Sequence, residues 1–392
     1  MAGNGKKAAN GGVWIKGGLD VPFLIIVIAL ITLGLIMMFS ASSSYSYYYF
    51  NDSLYYFKRQ SVFAVLGLIV MFVMSRVNYH VLKRAAIPLG LVTFALLIAV
   101  LLVAPPPGFE EFHRWISLGP VTFQPSEVAK FAIILYFAWH MDRHFNEINT
   151  KGRQGRPDRL RNLGWYFLIL AVTCVLVYQE NHVSGTLLIF AIGVMMMFLA
   201  GFDYKWFAVA AVAAAILVFV VVQNPGILPE HAQPRILAWV DKSYDPLGVR
   251  WQTNQAVYAI GSGGFFGVGL GNSKMKQLYV SEPQNDFIFS IIREELGFIG
   301  ALFIVILFAL LVWRGFVIGL HAKDRFGSWL AMGIVFQVGL QAALNIGVVT
   351  DVLPNTGISL PFFSYGGTSL LMLIFEMGVV LSISRTAKLK KV

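Results

Sequence analysis

Charge and cysteine are both scarce in this chain. Charged residues fill 13% of its 392 positions, about half the roughly 25% usual in soluble domains. Hydrophobic residues fill 57%, and the mean hydropathy is +0.69. This composition excludes a separate soluble domain and defines an integral membrane protein. The one cysteine, Cys174, lies inside an apolar run, which excludes a disulfide framework and a cysteine metal site within the chain. Nucleotide, zincin and hydrolase signatures are absent: there is no G-x-x-x-x-G-K-[ST], G-x-G-x-x-G, H-E-x-x-H or G-x-S-x-G. Any energy-requiring reaction must therefore draw on an activated bond in its substrate. No helix-length internal repeat stands out, which weighs against an inverted-repeat transporter.

What is present is a series of apolar runs near the length of about 20 residues that crosses a bilayer. Ten are expected to span, at about 20–41, 58–75, 85–104, 125–140, 164–179, 185–201, 205–223, 287–313, 327–349 and 366–384. The first is too long for a signal-peptide core, although Ser40-Ala41-Ser42 offers small residues, and it is read as a retained anchor. Several runs contain Gly or Pro, as at Pro88, Gly297 and Gly300, which spanning helices tolerate when neighbours satisfy the freed backbone groups. The expected fold is an all-α polytopic membrane protein, one domain over 1–392.

Orientation follows from the distribution of Lys and Arg. With both termini cytoplasmic, twenty of the thirty basic residues fall on inner segments and eight on outer ones, with Lys130 and Arg293 inside spans. The basic inner segments are the tail 1–19, the loop 141–163 and the tail 385–392. The net charge of +10 lies beside membrane spans and not on an aromatic-interleaved face, so anionic lipid headgroups, not nucleic acid, are the expected partner.

One connection is far longer than the rest. Residues 224–286, outside the membrane between the seventh and eighth spans, carry Pro225, Pro229, Pro234 and Pro246 and a glycine cluster from Gly261 to Gly271. Loops of this length are functional or disordered. Trp239, Trp251, Tyr258, Phe265 and Phe266 give this one enough apolar surface to form an ordered cap, with short re-entrant helices, over a cleft. Its glycines could bring backbone close to a ligand, form a hinge, or simply connect.

The loop ends at Gln284-Asn285-Asp286-Phe287-Ile288-Phe289-Ser290, which puts one carboxylate where a polar loop enters an apolar helix. Asp286 is a candidate catalytic acid at headgroup level, and equally a candidate helix N-cap. Seven residues on, Arg293 is expected on the same helical face, either holding the Asp286 carboxylate ionised or pairing with Glu294 or Glu295. In the fourth span Glu127 and Lys130 are three apart and therefore on one face. Charges inside a bilayer are costly unless paired, so these two are expected to pair and face the bundle, as a functional or a packing element.

Taken together, these stretches resemble the SEDS family (shape, elongation, division and sporulation), the polytopic cell-wall polymerases that include RodA and FtsW. The resemblance covers nearly the whole chain. It is carried by Gln124-Pro125-Ser126-Glu127 with Lys130, by Pro283 to Phe289 followed by Glu294-Glu295-Leu296-Gly297, and by Asn345 with Leu353-Pro354 and Leu360-Pro361-Phe362-Phe363-Ser364-Tyr365-Gly366-Gly367.

The resemblance implies a peptidoglycan glycosyltransferase that polymerises lipid II at the outer face of the bacterial cytoplasmic membrane. The family's essential loop acid falls on Asp286, and its fourth-span acid and base fall on Glu127 and Lys130. Asp286 would act as general base, with undecaprenyl pyrophosphate as leaving group. Arg235, Arg250, Lys274, Lys276 and Arg293 are the candidate pyrophosphate or sugar ligands. A divalent cation (Mg2+ or Mn2+) held by Asp286 could share that task. Glu294, Glu295, Ser364, Gly366 and Gly367 would support the cleft, and grooves between spans would accept lipid tails. The implied partners are lipid II, a single-pass class B penicillin-binding transpeptidase and other divisome or elongasome proteins. Elongation, division and sporulation roles all stay open, with a lean to the last two. Two alternatives from other classes stand beside this reading: a flippase of lipid-linked precursors and a non-enzymatic scaffold. The chain also departs from the family pattern. Where many members have Gln-Pro-Asp-Leu-Gly-Thr, it reads Gln179-Glu180-Asn181-His182-Val183-Ser184-Gly185-Thr186, so His182 or Glu180 would replace the missing aspartate. Asn355 and Asp351 are further local differences.

Overall fold

A computed structural model describes residues 18–103, 114–119, 121–149, 156–227 and 233–388. The N-terminal tail to residue 17, Lys151 and Arg153, Pro229, and Lys390 and Lys391 lie outside the described residues. The helices, in chain order, are α1 (Val21–Phe50), α2 (Tyr55–Arg76), α3 (Val81–Leu102), α4 (Pro125–Arg143), α5 (Phe145–Asn149), α6 (Arg156–Gln179), α7 (Val183–Leu199), α8 (Tyr204–Gln223), α9 (Gln233–Val240), α10 (Trp251–Ser262), α11 (Ile288–Leu320), α12 (Arg325–Val349) and α13 (Gly367–Thr386). A two-stranded antiparallel hairpin, β1 (Ile116–Leu118) and β2 (Val121–Phe123), precedes α4 and pairs Ser117 with Thr122.

Each of the ten expected apolar runs coincides with a helix of 17 residues or more. Seven of these, α1, α2, α3, α6 from Asp158, α11, α12 and α13, are long and apolar enough to cross a membrane. Local chemistry sets the ends. Asp20 caps α1 by accepting from the Phe23 amide at 3.0 Å, and Asp324 caps α12 by accepting from Gly327 at 3.0 Å. Pro125 opens α4, where its missing N–H is not needed. At the far end of α1, helix runs nine residues past the expected limit at 41, because the Ser and Tyr residues there contain no breaker until Asn51 takes the left-handed conformation.

The start of α1 and the end of α13 meet at one end of the bundle, where the Asp20 amide donates to Ser384 Oγ (3.2 Å) and Arg314 forks onto the Asp20 carboxylate (3.0 and 2.8 Å). We call this the terminal end. The same end carries His80 and Tyr79 on Asp324 and Lys83 on Asp142. The opposite, loop end carries the hairpin, α9, α10 and the segment leading into α11. The core between them is built mainly from α4, α11, α12 and α13, whose interior positions such as Phe131, Ile292, Leu330 and Ile374 are fully or almost fully buried. The most extensive single helix pair is α2 with α13.

α11 is broken. Gly297 adopts φ 69° and ψ −169° inside it, a conformation open to glycine and little else. The expected glycine cluster is the other half of this break. Val268 and Gly269 donate to the carbonyls of Glu294 and Glu295 (3.0 and 3.1 Å), and Phe298 and Ile299 donate to those of Gly264 and Phe265 (3.1 and 3.2 Å). A side chain at Gly267, itself at φ 81°, would collide with the Glu295 backbone. The cluster is thus not a loose connection; it satisfies the backbone groups that the break in α11 leaves open.

Candidate functional site

At the loop end, three segments distant in sequence clamp the residues around Asp286. The Tyr365 amide donates to the Gln284 carbonyl (2.8 Å), and Ser364 Oγ donates to the Asn285 carbonyl (2.7 Å) while accepting from the Leu360 amide (2.7 Å). Gln60 of α2 holds the same turn from behind, donating to the Ser364 carbonyl (3.1 Å) and accepting from the Gly366 amide (3.2 Å). Asn345 of α12 donates to the carbonyls of Asp286 (2.7 Å) and Ile358 (2.6 Å). Ser364 and Gly366 therefore fix the backbone that presents the acid, and Gly367 leaves room for the Phe63 ring.

Asp286 does not cap α11; the residue at that position is Phe287, and no side chain accepts from the first turn. Its carboxylate lacks any cation within ion-pair distance among the described residues. It is half-buried at its own surface but surrounded by protein, and that burial pushes its pKa up to about 6. Its own amide, Arg235 and Arg114 pull the other way, and Glu282 adds to the rise. Gly357, at φ 68°, passes close beside it: a Cβ there would stand 3.3 Å from Asp286 Oδ2. The absent side chain keeps one flank of the carboxylate open.

Arg114, in the turn before β1, is a cleft residue that did not stand out in the sequence. It donates to the Asn181 carbonyl and lies within electrostatic reach of Asp286, Glu180 and Arg235. Burial draws its pKa down to about 10. No motif points to Arg114, because the turn between two spans looks like any outer loop. Of the two residues expected to stand in for the family aspartate, Glu180 is fully buried, and neither carboxylate oxygen has a hydrogen-bond partner. Its pKa rises to about 8 by burial, opposed by Arg114. His182 faces Ser126 Oγ at 3.3 Å and is held neutral by burial and by Arg114 and Lys130.

Below this cleft runs a buried polar row. Glu127 and Lys130 pair at 2.9 Å, Lys130 donates to Gln341 (3.0 Å), and Gln341 donates to both Ser359 oxygens (3.1 Å). Gln337 continues the row to Glu376 at 3.1 Å. The expected pair therefore faces the bundle.

The other expected cations are dispersed. Arg235, on α9, is the one within electrostatic reach of Asp286. Arg250 is buried and bound to Asp351 (2.6 Å), which also holds Lys242 (2.6 Å). Lys276 is buried on Glu295 (2.8 Å) and Ser40 (3.0 Å). Lys274 is exposed, and only its amide is used here, donating to Glu294 (3.1 Å). Arg293 neither meets Asp286 nor pairs with Glu294 or Glu295; it donates to the Gly264 carbonyl (2.6 Å) and lies over Phe298. The face-sharing argument fails because Asp286 precedes the helix. Both glutamates are spent on structure: Glu294 accepts from Ser273 and the Lys274 amide, and Glu295 from Ser40, Ser273 and Lys276.

No three His, Cys, Asp or Glu side chains converge into a metal site among the described residues. The donors around Asp286 do not by themselves fit a bound divalent cation. An apolar cavity of about 510 Å³ opens between α3, α4 and α6, lined by Leu91, Phe94, Ile133, Tyr136, Trp165 and Ile169 among others.

A polytopic helical bundle whose loop end clamps an acid that makes no ion pair among the described residues is the class that these observations define. Residues 21–389 match the FtsW, RodA and SpoVE family, described as "Cell cycle protein", and the chain belongs to that family. It is 37% identical over 373 residues to a probable peptidoglycan glycosyltransferase FtsW of Trichlorobacter lovleyi, covering 94% of each chain, and 37% identical over 370 residues to stage V sporulation protein E of Bacillus subtilis, covering 94% of this chain and 98% of that one. Its fold is similar to a chain solved in work on structural coordination of polymerization and crosslinking by a peptidoglycan synthase complex (TM-score 0.77, 27% identity, 94% and 98% covered). It is also similar in fold to the rod shape determining protein RodA of Thermus thermophilus (TM-score 0.68, 24% identity, 95% and 99% covered). The chain is a multi-pass integral protein of the cytoplasmic membrane.

Proposed function

We propose that this protein is a peptidoglycan glycosyltransferase that polymerises lipid II at the outer face of the membrane, with ten crossings and both termini inside. The observation that carries the reading is Asp286: a carboxylate denied any direct cation, with its pKa raised to about 6, in a cleft where Arg114 and Arg235 stand at longer range. A base with that pKa is ionised at neutral pH yet still able to take a proton. In the proposed step Asp286 accepts the proton of the acceptor sugar hydroxyl. The hydroxyl oxygen forms the new bond to the anomeric carbon of the donor sugar, and the bond from that carbon to the pyrophosphate oxygen breaks. Undecaprenyl pyrophosphate leaves with the electron pair, and Arg114 and Arg235 offset its charge. The lack of a nucleotide motif is consistent with this, since the substrate supplies the activated bond. The relatives named as peptidoglycan glycosyltransferases support the reaction class, and the solved synthase complex supports a transpeptidase partner.

Flippase transport would be served by charges free to follow a polar headgroup across the bilayer. Here Glu127 and Lys130 are bound to each other and to Gln341, which favours a packing role. The test is polymerisation of labelled lipid II by purified protein, wild type beside Asp286→Ala, each with and without its cognate transpeptidase. Glycan ladders from wild type alone support the reading. Ladders from both would remove Asp286 from the chemistry, and none from either would overturn the enzyme.

A further inference from the structure

The end of α1 and the start of α2 carry an unusual density of aromatic residues, Tyr45-Ser46-Tyr47-Tyr48-Tyr49-Phe50 and Tyr55-Tyr56-Phe57, which the proposed reaction does not use. Tyr47, Tyr48 and Tyr49 are 63%, 67% and 58% exposed. Six of the rings form one continuous set: Tyr45 on Tyr49 with centroids 4.4 Å apart, Tyr48 edge-on to Tyr49 at 5.0 Å, Tyr45 beside Tyr56 at 6.2 Å, and Phe50 edge-on to Tyr56 at 5.7 Å and stacked on Tyr55 at 3.8 Å. Tyrosines at membrane surfaces commonly belong to an interfacial belt. Two features set this group apart.

The first is height. Starting at Val21, about 20 residues of α1 cross the hydrocarbon, which ends near Ser40. Ser40 hydrogen-bonds Glu295 (2.7 Å). From that shared level α1 climbs about 7–14 Å to Tyr45–Tyr49, and α11 climbs about 10 Å to its first residue, Ile288, at roughly 1.5 Å per residue, with Asp286 in the turn just beyond. The tyrosines therefore lie on the same side of that level as the acid and at a similar distance from it.

The second is continuity with the acid's own loop. Tyr45 lies within electrostatic reach of Glu282, the same carboxylate that accepts from Asn285 (2.7 Å), next to Asp286. Tyr56 packs edge-on against Tyr365 at 4.7 Å, and the Tyr365 amide is bonded to Gln284. A belt needs no such tether to a catalytic loop.

We propose that this tyrosine shelf binds the glycan strand itself, stacking the C–H faces of successive pyranose rings as the strand passes to or from Asp286. The inference rests on the polymerase reading. Tyrosine suits the task because its ring offers a flat apolar face to sugar C–H groups and its hydroxyl can hydrogen-bond sugar oxygens, with few side-chain torsions to order. A polymer substrate also explains the extent of the shelf, since one sugar would cover only one or two of its rings. The strand is neutral along its sugars, which matches a shelf whose exposed members, Tyr48 and Tyr49, carry no charge.

The test uses the full-length Asp286→Asn protein in nanodiscs, so that no turnover occurs, with chitohexaose as a soluble β-1,4-linked N-acetylhexosamine probe read by saturation-transfer NMR. Saturable binding is expected, weakened at least tenfold in Tyr48→Ala/Tyr49→Ala and retained in Tyr48→Phe/Tyr49→Phe, both with unchanged melting temperature. On an active background the alanine pair should yield shorter glycan strands. No binding by the parent, or binding that the alanine pair leaves intact, overturns the shelf even if lipid II is polymerised. Loss of transpeptidase association with glycan binding intact assigns the surface to a protein and overturns it also. A lowered melting temperature with binding intact assigns the rings to the membrane belt. Failure of wild type to polymerise would sink the reaction, while the probe would still report on the shelf.

Discussion

Glu295 and Asp286 lie nine residues apart at the head of α11, and the chain treats them in opposite ways. Glu295 is fully buried and saturated, with Ser40, Ser273 and Lys276 all donating to it. Asp286 is half-buried and receives no cation in contact. A carboxylate given every partner it can use is a piece of structure. One whose cations are kept at a distance keeps its proton affinity within reach of neutral pH, and the difference lies in their neighbours, since both residue types are ordinary carboxylic acids.

Removing each acid in turn should separate the two roles, and the largest effect is expected at Asp286. Asp286→Asn should cut polymerisation by at least about 10³-fold, the upper part of the usual range for a general base, without lowering the melting temperature. Glu295→Gln should instead unfold the protein more easily, by about 3–5 kcal/mol in denaturant titration, because Lys276 is left buried and unpaired. Glu295→Met with Lys276→Met should recover most of that loss. If Glu295→Gln were fully stable and inactive, the two acids would have to exchange roles.

The pH dependence sharpens the same contrast. Activity of the wild type should fall as pH drops through about 6, where Asp286 takes up its proton. Arg114→Gln should move that limb to higher pH, since a charge that favours the carboxylate is lost. Stability has the opposite sign. A carboxyl whose folded pKa is raised binds its proton more tightly when folded, so stability declines as pH rises from about 4 to about 6. Asp286→Asn should remove that decline and gain on the order of 1–3 kcal/mol at neutral pH.

Glu180 should behave as a neutral acid at pH 7, because its pKa stands near 8. Glu180→Gln should therefore stabilise the protein at pH 7, by on the order of 1–3 kcal/mol, and abolish the decline in stability expected between about pH 4.5 and 8, measured by thermal melting across that range. The smallest effect belongs to the exposed Lys58–Asp52 pair: Lys58→Ala should leave the melting temperature unchanged, as exposed pairs contribute little.

Much of the fold was legible because each long helix is announced by an apolar run. The order of the helices and the Glu127–Lys130 pair followed from spacing alone, whereas the separation of Arg293 from Asp286 did not, because Asp286 precedes the helix. What could not be read depends on contacts across long stretches of chain. Ser40 meets Glu295 across 255 residues, and Arg114 reaches the α6–α7 turn across 67. No local pattern records either. Lys276 and Arg250 looked like free outer cations because their partners, Glu295 and Asp351, sit on other elements. The hairpin was missed because two three-residue strands leave no periodicity to detect. The glycine cluster suggested mobility, yet its partner is the break at Gly297, and a broken helix surrounded by apolar residues looks continuous in sequence.

That break also fixes how the enzyme meets the thickness of its membrane. Unbroken, α11 would be about 50 Å long, well beyond a hydrocarbon layer of about 30 Å; from Phe298 to Leu320 it is about 34 Å, close to a match. The lower piece packs in the bundle core through Leu307, Phe308 and Leu311, while the upper piece, spliced to the residues after α10, keeps its own direction. The length that spans the bilayer and the direction in which the segment holding Asp286 leaves it are thereby set by two separate pieces of one helix.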